Sequence, residues 1–564
     1  MDFAQEIASA LSQALDMDQN DIVNMLETPP QRDMGDFAFP CFKLAARLRK
    51  APPLIAKELA EKLTAPGFVS SVQVVGAYLN FFVDKATYAK SALEAVRKEG
   101  ARYGGSDEGT GKTVCIDYSS INIAKPFHIG HLSTTVIGHA LYRIYKHLGY
   151  RCVGINHLGD WGTQFGKLIV AFKRWGSREQ IECEAVAGLT KLYVRFHDEA
   201  EKDESLEDEA RAWFKKIEDG DEEALSLFNW FKDLTMRDVA RVYDLLGVTF
   251  DSYAGESFYN DKTGAVVEEL KAKGLLAESE GASVVNLDEY SMPPCMIIKK
   301  DGATLYATRD IAAALYRKKE YDFTRCLYVV AYQQNLHFAQ WFRVIEKMGY
   351  PWYSELEHVA FGMVSMEEGT LSTRKGRVVL LEDVLRQSIE KARAIIEEKS
   401  PDLSDKDGAA RTVGVGAVVF GALINNRIKD IVFSYDRALN FDGETAPYVQ
   451  YTHARCCSVM RKSGSGATST VDYSLLADDD AQEVVKQIAA FPEMVQEACR
   501  RNEPSLVARH VVDTAQAFNK FYYDCRILEE DEAVRNARLM LTDCTRQVIE
   551  TGLNLMGITA PERM

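Results

Sequence analysis

Apolar residues change period several times along this chain, and each change marks an element. Val114–Tyr118 is a short apolar run that reads as a strand, and Ser119–Pro126 is a polar loop. Ile137, Leu141, Ile144 and Leu148 then keep helical spacing in a segment that opens at His128 and stops at Gly149. Arg151–Ile155 reads as a second strand. Strand, helix, strand at this length predicts a βαβ unit, which needs a parallel sheet and a right-handed crossover. Further on, Leu305-Tyr306 is expected to close a strand, with Thr308 capping a helix from Asp310. Cys326–Ala331 has the composition of a buried strand, with a helix starting near His337.

Other patterns flank this core. Residues 1 to about 105 predict a small α+β module: a helix through Asp21–Leu26, a helix after Pro52-Pro53 with Ile55, Leu59 and Leu63 spaced by four, and a strand pair or a bulged strand in Val72–Val83 around Gly76. Gly104-Gly105-Ser106 marks its end. From Lys167 to about Lys300 the pattern is helical and charged, with one strand-like patch at Ala282–Leu287, and it interrupts the parallel sheet. Leu380–Ser400 reads as helix, Pro401–Gly408 as a polar linker, and Ala409 onward as almost continuous helix broken by the flexible loop Ser463–Thr470. The fold class is therefore multidomain α/β.

Composition narrows the class. With 564 residues, 46% hydrophobic and 27% charged, the chain has room for about three or four ordinary globular domains. It lacks a long uncharged apolar run, and its first residues are acidic and amphipathic, so neither a membrane span nor a signal peptide is expected. The 11 cysteines form no CxxC pair, which argues against zinc and for a reducing, cytoplasmic setting. A net charge of −16 weighs against nucleic acid as a partner, but residues 198–223 alone carry −9. That run reads as a solvated helical face, and local basic patches elsewhere remain free to bind.

The chemistry gathers at strand ends. His128-Ile129-Gly130-His131 opens a helix right after a strand and loop. A helix N-terminus offers unpaired N–H groups and positive potential to phosphate. Gly130 permits close approach, and the two histidines, three apart, face the same side as donors to phosphate oxygens. Asn156–Gly166, NHLGDWGTQFG, lies past the second strand, the ligand edge of a parallel sheet. Asp117 ends the first strand, and Tyr306 and Asp310 lie four apart near another edge. Two carboxylates and a tyrosine suit a guanidinium, whose planar fork needs matching acceptors, although ordinary turn aspartates would look the same. Phe361-Gly362-Met363-Val364 is a strand end whose backbone could bracket a base. The aromatics of Val72–Val83 are more often core than binding surface, and those of Tyr448–Arg455 are as readily one as the other.

The run SSINIAKPFHIGH resembles the first signature of class I aminoacyl-tRNA synthetases, in the form carried by arginyl-tRNA synthetases. Ile121 stands where the family usually has Pro, and Ser133 where it often has Arg. Leu371–Gly376, LSTRKG, resembles the arginyl version of the second signature, with Thr370 and Thr373 in place of the two lysines of the usual class I form. The resemblance covers nearly the whole chain, including the ending MGITAPERM, so the chain is expected to be complete.

What the resemblance implies is specific. The domains would be an N-terminal module gripping the tRNA elbow (1–105), a Rossmann-like catalytic domain with a connective insertion at about 167–300 (106–400), and a helical anticodon-binding domain (401–564). Lys125 would supply the charge that the altered loop lacks, helped by Arg374 or Lys375, beside His128, Gly130 and His131. ATP would lie on His128, His131, Gly159, Asp160, Gly362, Met363, Val364 and Ser372. Arginine would meet Asp117, Ser119, Asn122, His131, Tyr306, Asp310 and Gln334. Tyr78 and Asn80 would read a D-loop base, and Tyr448, Tyr451 and Met564 would approach the anticodon. The expected reaction joins L-arginine to tRNA-Arg through an adenylate, with ATP and Mg2+, no structural metal, no membrane, and a monomeric enzyme. A tRNA-binding paralogue without activity, or a class I enzyme for another amino acid, are the alternatives. The intact first signature argues against the former and the acidic pair against the latter.

Overall fold

The computed structural model describes residues 3–29, 34–300, 302–367, 379–464 and 471–564. They divide into two compact units, residues 1–103 with 456–490 and 516–548, and residues 104–455 with 491–515 and 549–564. Residues of the last helices of the chain are divided between the two units.

The first unit holds an antiparallel sheet ordered Phe37–Pro40, Tyr78–Val83, Val69–Val75. The expected strand pair is present, with Val75 opposite Tyr78 and Gly76 at positive φ in the turn. The strand Phe37–Pro40 was not expected, because Pro40 and the short run hide it; it pairs through Phe37–Phe81 and Phe39–Leu79. Helix Pro52–Lys62 starts on its prolines, where a missing N–H costs nothing, and presents Ile55, Ala56 and Leu59 to a core of Ile7, Leu11, Phe39, Leu79 and Phe81.

The second unit is built on a parallel sheet ordered Leu356–His358, Arg325–Tyr328, Thr113–Asp117, Arg151–Ile155. The predicted βαβ unit is there: helix Leu132–His147 crosses from Thr113–Asp117 to Arg151–Ile155, with Ile116 opposite Gly154. The helix packs so close that a Cβ on Gly138 would lie 2.2 Å from Cβ of Tyr118. On the other side of the first strand, Ile116 also pairs with Leu327, and Leu327 with Glu357. The strands stay parallel, but the side on which the chain adds them switches at Thr113–Asp117, which opens a crevice beyond its carboxyl end.

Several local expectations change. The segment after Lys167 carries a full antiparallel sheet, Leu276–Ser279, Ala282–Val285 and Cys295–Ile298, not one patch. Leu305 is extended, but Tyr306 already begins a helix, Tyr306–Tyr321. Thr308 lies inside that helix and donates its hydroxyl to the carbonyl of Ile297 at 2.7 Å, so it docks the helix on the small sheet instead of capping it. Val364–Met366 pairs in parallel with the unexpected strand Ile431–Phe433. The acidic run includes helix Ser205–Glu218, which buries Leu206, Ala210, Trp213 and Ile217. Its acids are not all merely solvated, since Glu207 and Glu209 pair with Lys167 and Arg174 at 2.6 Å each.

His139 sits buried in the crossover helix, and burial, with Arg143 second, lowers its pKa from 6.5 to about 3. A histidine held neutral costs stability in acid: below pH 6.5 the unfolded chain takes up a proton that the folded chain refuses. By linkage this removes about 2 kcal/mol at pH 5 relative to neutral pH. The unfolding midpoint is expected to fall between pH 7.5 and pH 5, and the fall should shrink in His139→Gln; an equal fall in both proteins would remove His139 from the account.

Candidate active site

The crevice is floored by a strained loop. Ser119, Ser120 and Ala124 hold left-handed backbone angles (φ 68°, 43° and 60°), which cost free energy for residues with a Cβ. Side chains hold it in place. The amide of Ser119 donates to Thr134 Oγ at 3.0 Å, and that hydroxyl donates on to the carbonyl of Val329 at 2.7 Å, joining the ends of two neighbouring strands. The amide of Ala124 donates to Thr235 Oγ at 3.0 Å. Ile123 and Gly159 exchange backbone bonds with their neighbours across the loop at 3.1 and 2.8 Å. A Cβ on Gly159 would come within 2.5 Å of Asn122 Oδ1, so glycine is needed there for close approach. Asn122 and Lys125 point out of the loop, exposed.

The loop leads into the turn His128–His131. His128 Nδ1 accepts the Gly130 amide at 3.1 Å, so the neutral ring carries its proton on Nε2. His131 Nδ1 lies 3.3 Å from the amide and 3.2 Å from the carbonyl of His128, and the two rings are 4.1 Å apart. Burial lowers both pKa values, that of His131 to about 3, with Lys125 and the paired ring adding to the effect. Near neutral pH the pair is therefore uncharged and offers N–H groups. The turn is zipped to the chain beyond the second signature: Ile129 donates to the carbonyl of Val379 and Leu381 to that of Phe127, both at 3.0 Å. Ser372, Arg374 and Lys375 lie outside the described residues.

A polar cluster occupies the opposite wall. Tyr306 is 61% exposed at the start of its helix, with the Arg309 guanidinium 5.1 Å from its ring. Asp310, one turn on, accepts from His337 at 2.6 Å. Gln334 is exposed at the end of the short turn after Arg325–Tyr328. Glu256 pairs with Arg309 at 3.4 Å, and its Oε2 and Arg309 Nε are buried without a hydrogen bond. Burial raises the pKa of Glu256 to about 7; Arg309 opposes this, and Asp310, Asp160 and Lys125 lie near enough to bias it. Glu256 opens the short 3-10 helix Glu256–Lys262 of the insertion, a stretch whose sequence offered no residue-level role.

Four of the expected binding positions already have partners within the protein. Asp117 is not open to a ligand: Arg317 Nη2 reaches its Oδ2 at 2.7 Å and Ser120 its Oδ1 at 2.6 Å, in a setting where Arg317 is 1% exposed. Ser119 is also buried, its hydroxyl spent on Thr135 and Tyr243 at 2.9 and 2.7 Å. Asp160 is fully buried against Lys232 (2.6 Å) and Ser257 (2.8 Å), so it ties the insertion to the sheet edge rather than facing a nucleotide. The amides of Gly362 and Met363 donate to Arg427 O and Asp430 Oδ1 at 2.8 and 2.7 Å, and Val364 lies opposite Ile431 in a parallel strand pair.

Comparison with known proteins agrees with this geometry. Residues 93–435 match the family described as tRNA synthetases class I (R), catalytic domain; residues 449–564 match the DALR anticodon binding domain, and residues 1–83 the arginyl tRNA synthetase N terminal domain. Over 564 residues, all of this chain and all of each relative, it is 54% identical to the arginine–tRNA ligase of Alkaliphilus metalliredigens and 56% identical to that of Clostridioides difficile. The chain belongs to the arginine–tRNA ligase family. Its structure is similar to the arginyl-tRNA synthetase of Thermus thermophilus, with a TM-score of 0.83, 27% identity, and coverage of 100% of this chain and 99% of the other.

The arginine–tRNA ligase fold places the residues expected at tRNA as follows. Tyr78 is half-buried and meets the exposed Phe42 edge to face at 5.7 Å. Asn80 is 3% exposed and points into the module, with Oδ1 unpaired, so it does not present its amide to a base. Tyr451 is exposed with Arg455 over its ring at 4.9 Å, while Tyr448 is half-buried. Met564 packs on a cluster around Ala392, Ile396 and Ala409. Arg317 escaped the sequence reading, although it continues the buried spacing Ala307, Ile311, Ala314, and a cation at such a position signals an internal carboxylate.

Removing one member of a buried ion pair leaves a bare charge. Arg317→Met should lower the unfolding free energy by about 3–5 kcal/mol. Adding Asp117→Asn should recover much of it; a double variant no more stable than the single, measured in denaturant, would mean the pair is not what holds the site.

Proposed function

We propose that this chain joins L-arginine to tRNA-Arg in two steps on one crevice. An oxygen of the arginine carboxylate attacks the α-phosphorus of ATP and the bond to pyrophosphate breaks. The terminal ribose of tRNA, through its 2′-OH, then attacks the adenylate carbonyl and AMP leaves. The observation that carries this reading is the pairing of two walls: neutral histidine donors at a helix start on one side, and the carboxylates Asp310 and Glu256 on the other, with Lys125 near both.

The roles follow from that geometry. Asp310, Glu256, Tyr306 and Gln334 receive the guanidinium, whose charge and planar fork match two carboxylates and a phenol. Oε2 of Glu256 faces Arg309 at 3.4 Å without a hydrogen bond and is free to accept one from a ligand guanidinium. Asn122 takes the amino or carboxylate end. His128 and His131 donate to the phosphates through Nε2–H, and Lys125 supplies the positive charge that grows more valuable as pyrophosphate leaves. Gly130 keeps the turn open to the ligand. Magnesium arrives as part of the ATP complex; among the described residues no cluster of three His, Cys, Asp or Glu forms a metal site. On tRNA, Phe42 and Tyr78 form the stacking surface of the N-terminal module, with Lys43, Arg47 and Arg49 nearby in sequence, and Tyr451 with Arg455 serves the anticodon. The enzyme works as a cytoplasmic monomer.

Lys125→Ala should lower arginine-dependent ATP–pyrophosphate exchange on the order of 10²-fold with little change in the KM for arginine. Equal losses in both would undo the phosphate role. The same assay, run with and without tRNA, tests the function itself: no exchange in either, with tRNA still bound, would favour the inactive paralogue.

A guanidinium placed beside Glu256 pulls its pKa below about 7, so arginine binding should release a fraction of a proton at pH 7 and none at pH 9. Calorimetry in two buffers of different ionisation heat reads this directly. Identical heats at pH 7 would place the cation elsewhere.

A further inference from the structure

The long helix Glu222–Leu246 belongs to the insertion, not to the parallel sheet, yet one face of it reaches the strained loop at two places and the segment after Arg151–Ile155 at a third. Lys232 pairs with the buried Asp160. Thr235 accepts the Ala124 amide, the residue before Lys125, and passes its own proton to the carbonyl of Phe231 at 2.8 Å. Tyr243 completes a directed chain of hydrogen bonds. Asn156 Nδ2 donates to Tyr243 OH at 2.8 Å, Tyr243 to Ser119 Oγ at 2.7 Å, Ser119 to Thr135 Oγ at 2.9 Å, and Thr135 to the carbonyl of His131 at 2.8 Å. The direction is forced: the Thr135 proton is spent on a carbonyl, so Ser119 must donate to it and accept from Tyr243.

Both threads end at reacting groups. One fixes the left-handed Ala124 whose next residue is Lys125, and the other ends on the backbone of His131. All the protein groups in them are buried: Ala124, Thr235, Tyr243, Ser119, Asn156 and Thr135. A left-handed alanine persists only where its surroundings over-determine it. Without Thr235 the Ala124 amide would be buried and unpaired in a conformation it does not favour, so it would swing and carry Lys125 with it.

We propose that Thr235 and Tyr243 are positioning residues for the activation step: from one face of the insertion helix they hold the loop Ser119–Phe127 in the strained form that aims Lys125 and the His128–His131 turn at the phosphates. This rests on the phosphate role of Lys125 given above. It makes the insertion helix part of the catalytic geometry and not only an appendage between two halves of the sheet.

The test is pyrophosphate exchange with Thr235→Val, Thr235→Ser, Tyr243→Phe, Lys125→Ala and the double variant Thr235→Val/Lys125→Ala, each checked for folding by its thermal midpoint. A small displacement of a reacting group costs up to roughly 10²-fold in rate. Thr235→Val and Tyr243→Phe should each lose about 10- to 100-fold in kcat, with the KM for arginine unchanged, because the arginine wall is built from other elements. Thr235→Ser, which keeps the hydroxyl, should restore most of the rate. In the Lys125→Ala background Thr235→Val should cost little more, since the group it aims is gone. A full additional loss in that background, unchanged kcat in both single variants, or a rise confined to the arginine KM would each overturn the proposal. If Thr235→Val does not fold, Tyr243→Phe, which conserves volume, decides the question by itself: a loss in kcat supports the proposal and an unchanged kcat overturns it. Wild-type exchange in Lys125→Ala would instead overturn the lysine reading, and with it the Thr235 thread.

Discussion

A guanidinium with almost no surface in water cannot stay in a protein without a carboxylate beside it, and the second unit is arranged around one such pair. Asp117 is the last residue of the central strand, and Arg317 comes from a helix that follows the whole insertion. Their contact at 2.7 Å pins that helix over the carboxyl end of the sheet. Tyr328 presents its ring to the same guanidinium at 5.4 Å, and His157 Nδ1 lies 3.4 Å from it. The two strands flanking the first, one ending at Ile155 and one at Tyr328, therefore converge on the same charge. Everything ligand-facing, from Asn122 to Asp310, hangs on elements whose ends this pair locates.

With the internal pair accounted for, the crevice divides its labour by ionisation. One wall is kept neutral, its histidines unable to charge because burial and Lys125 oppose it. The other wall holds two carboxylates, and burial, with Asp310 adding to it, raises one of them, Glu256, to about 7. A cation and a polyanion can then bind side by side without the wall of one attracting the other. The neutrality of the histidines is as much a part of selectivity as the charge of Asp310.

The sequence showed the framework well and the wiring poorly. The βαβ unit was legible because apolar period, loop and glycine stop all agreed between Val114 and Ile155. The histidine turn was legible because its chemistry is local: four residues at a strand-to-helix junction. What the sequence did not show was which side chains meet a distant partner. Asp117, Asp160 and Asn80 read as ligand groups because a polar residue at an edge looks the same whether it faces solvent or an internal cation. Thr235 and Tyr243 lie in a charged helical stretch, and nothing within that stretch says that their hydroxyls meet a loop more than a hundred residues earlier. Short strands were missed for a related reason: Phe37–Pro40 and Ile431–Phe433 exist only because a partner strand is in place.

The order of the strands has a consequence for how the molecule comes off the ribosome. The first strand lies at the middle of the sheet, and one of its neighbours, Arg151–Ile155, follows it closely in the chain. The other neighbour begins only at Arg325, after the insertion is complete. At about 5–20 residues per second, synthesis of the intervening chain takes on the order of ten to thirty seconds. During that interval one edge of Thr113–Asp117 has no strand to pair with, and Asp117 has no Arg317. The exposed edge invites pairing with any strand in reach, and a carboxylate at its end is a deterrent to that, since charge on a bare edge discourages strand addition. The residue that later locks the sheet thus also guards it while the lock is being made.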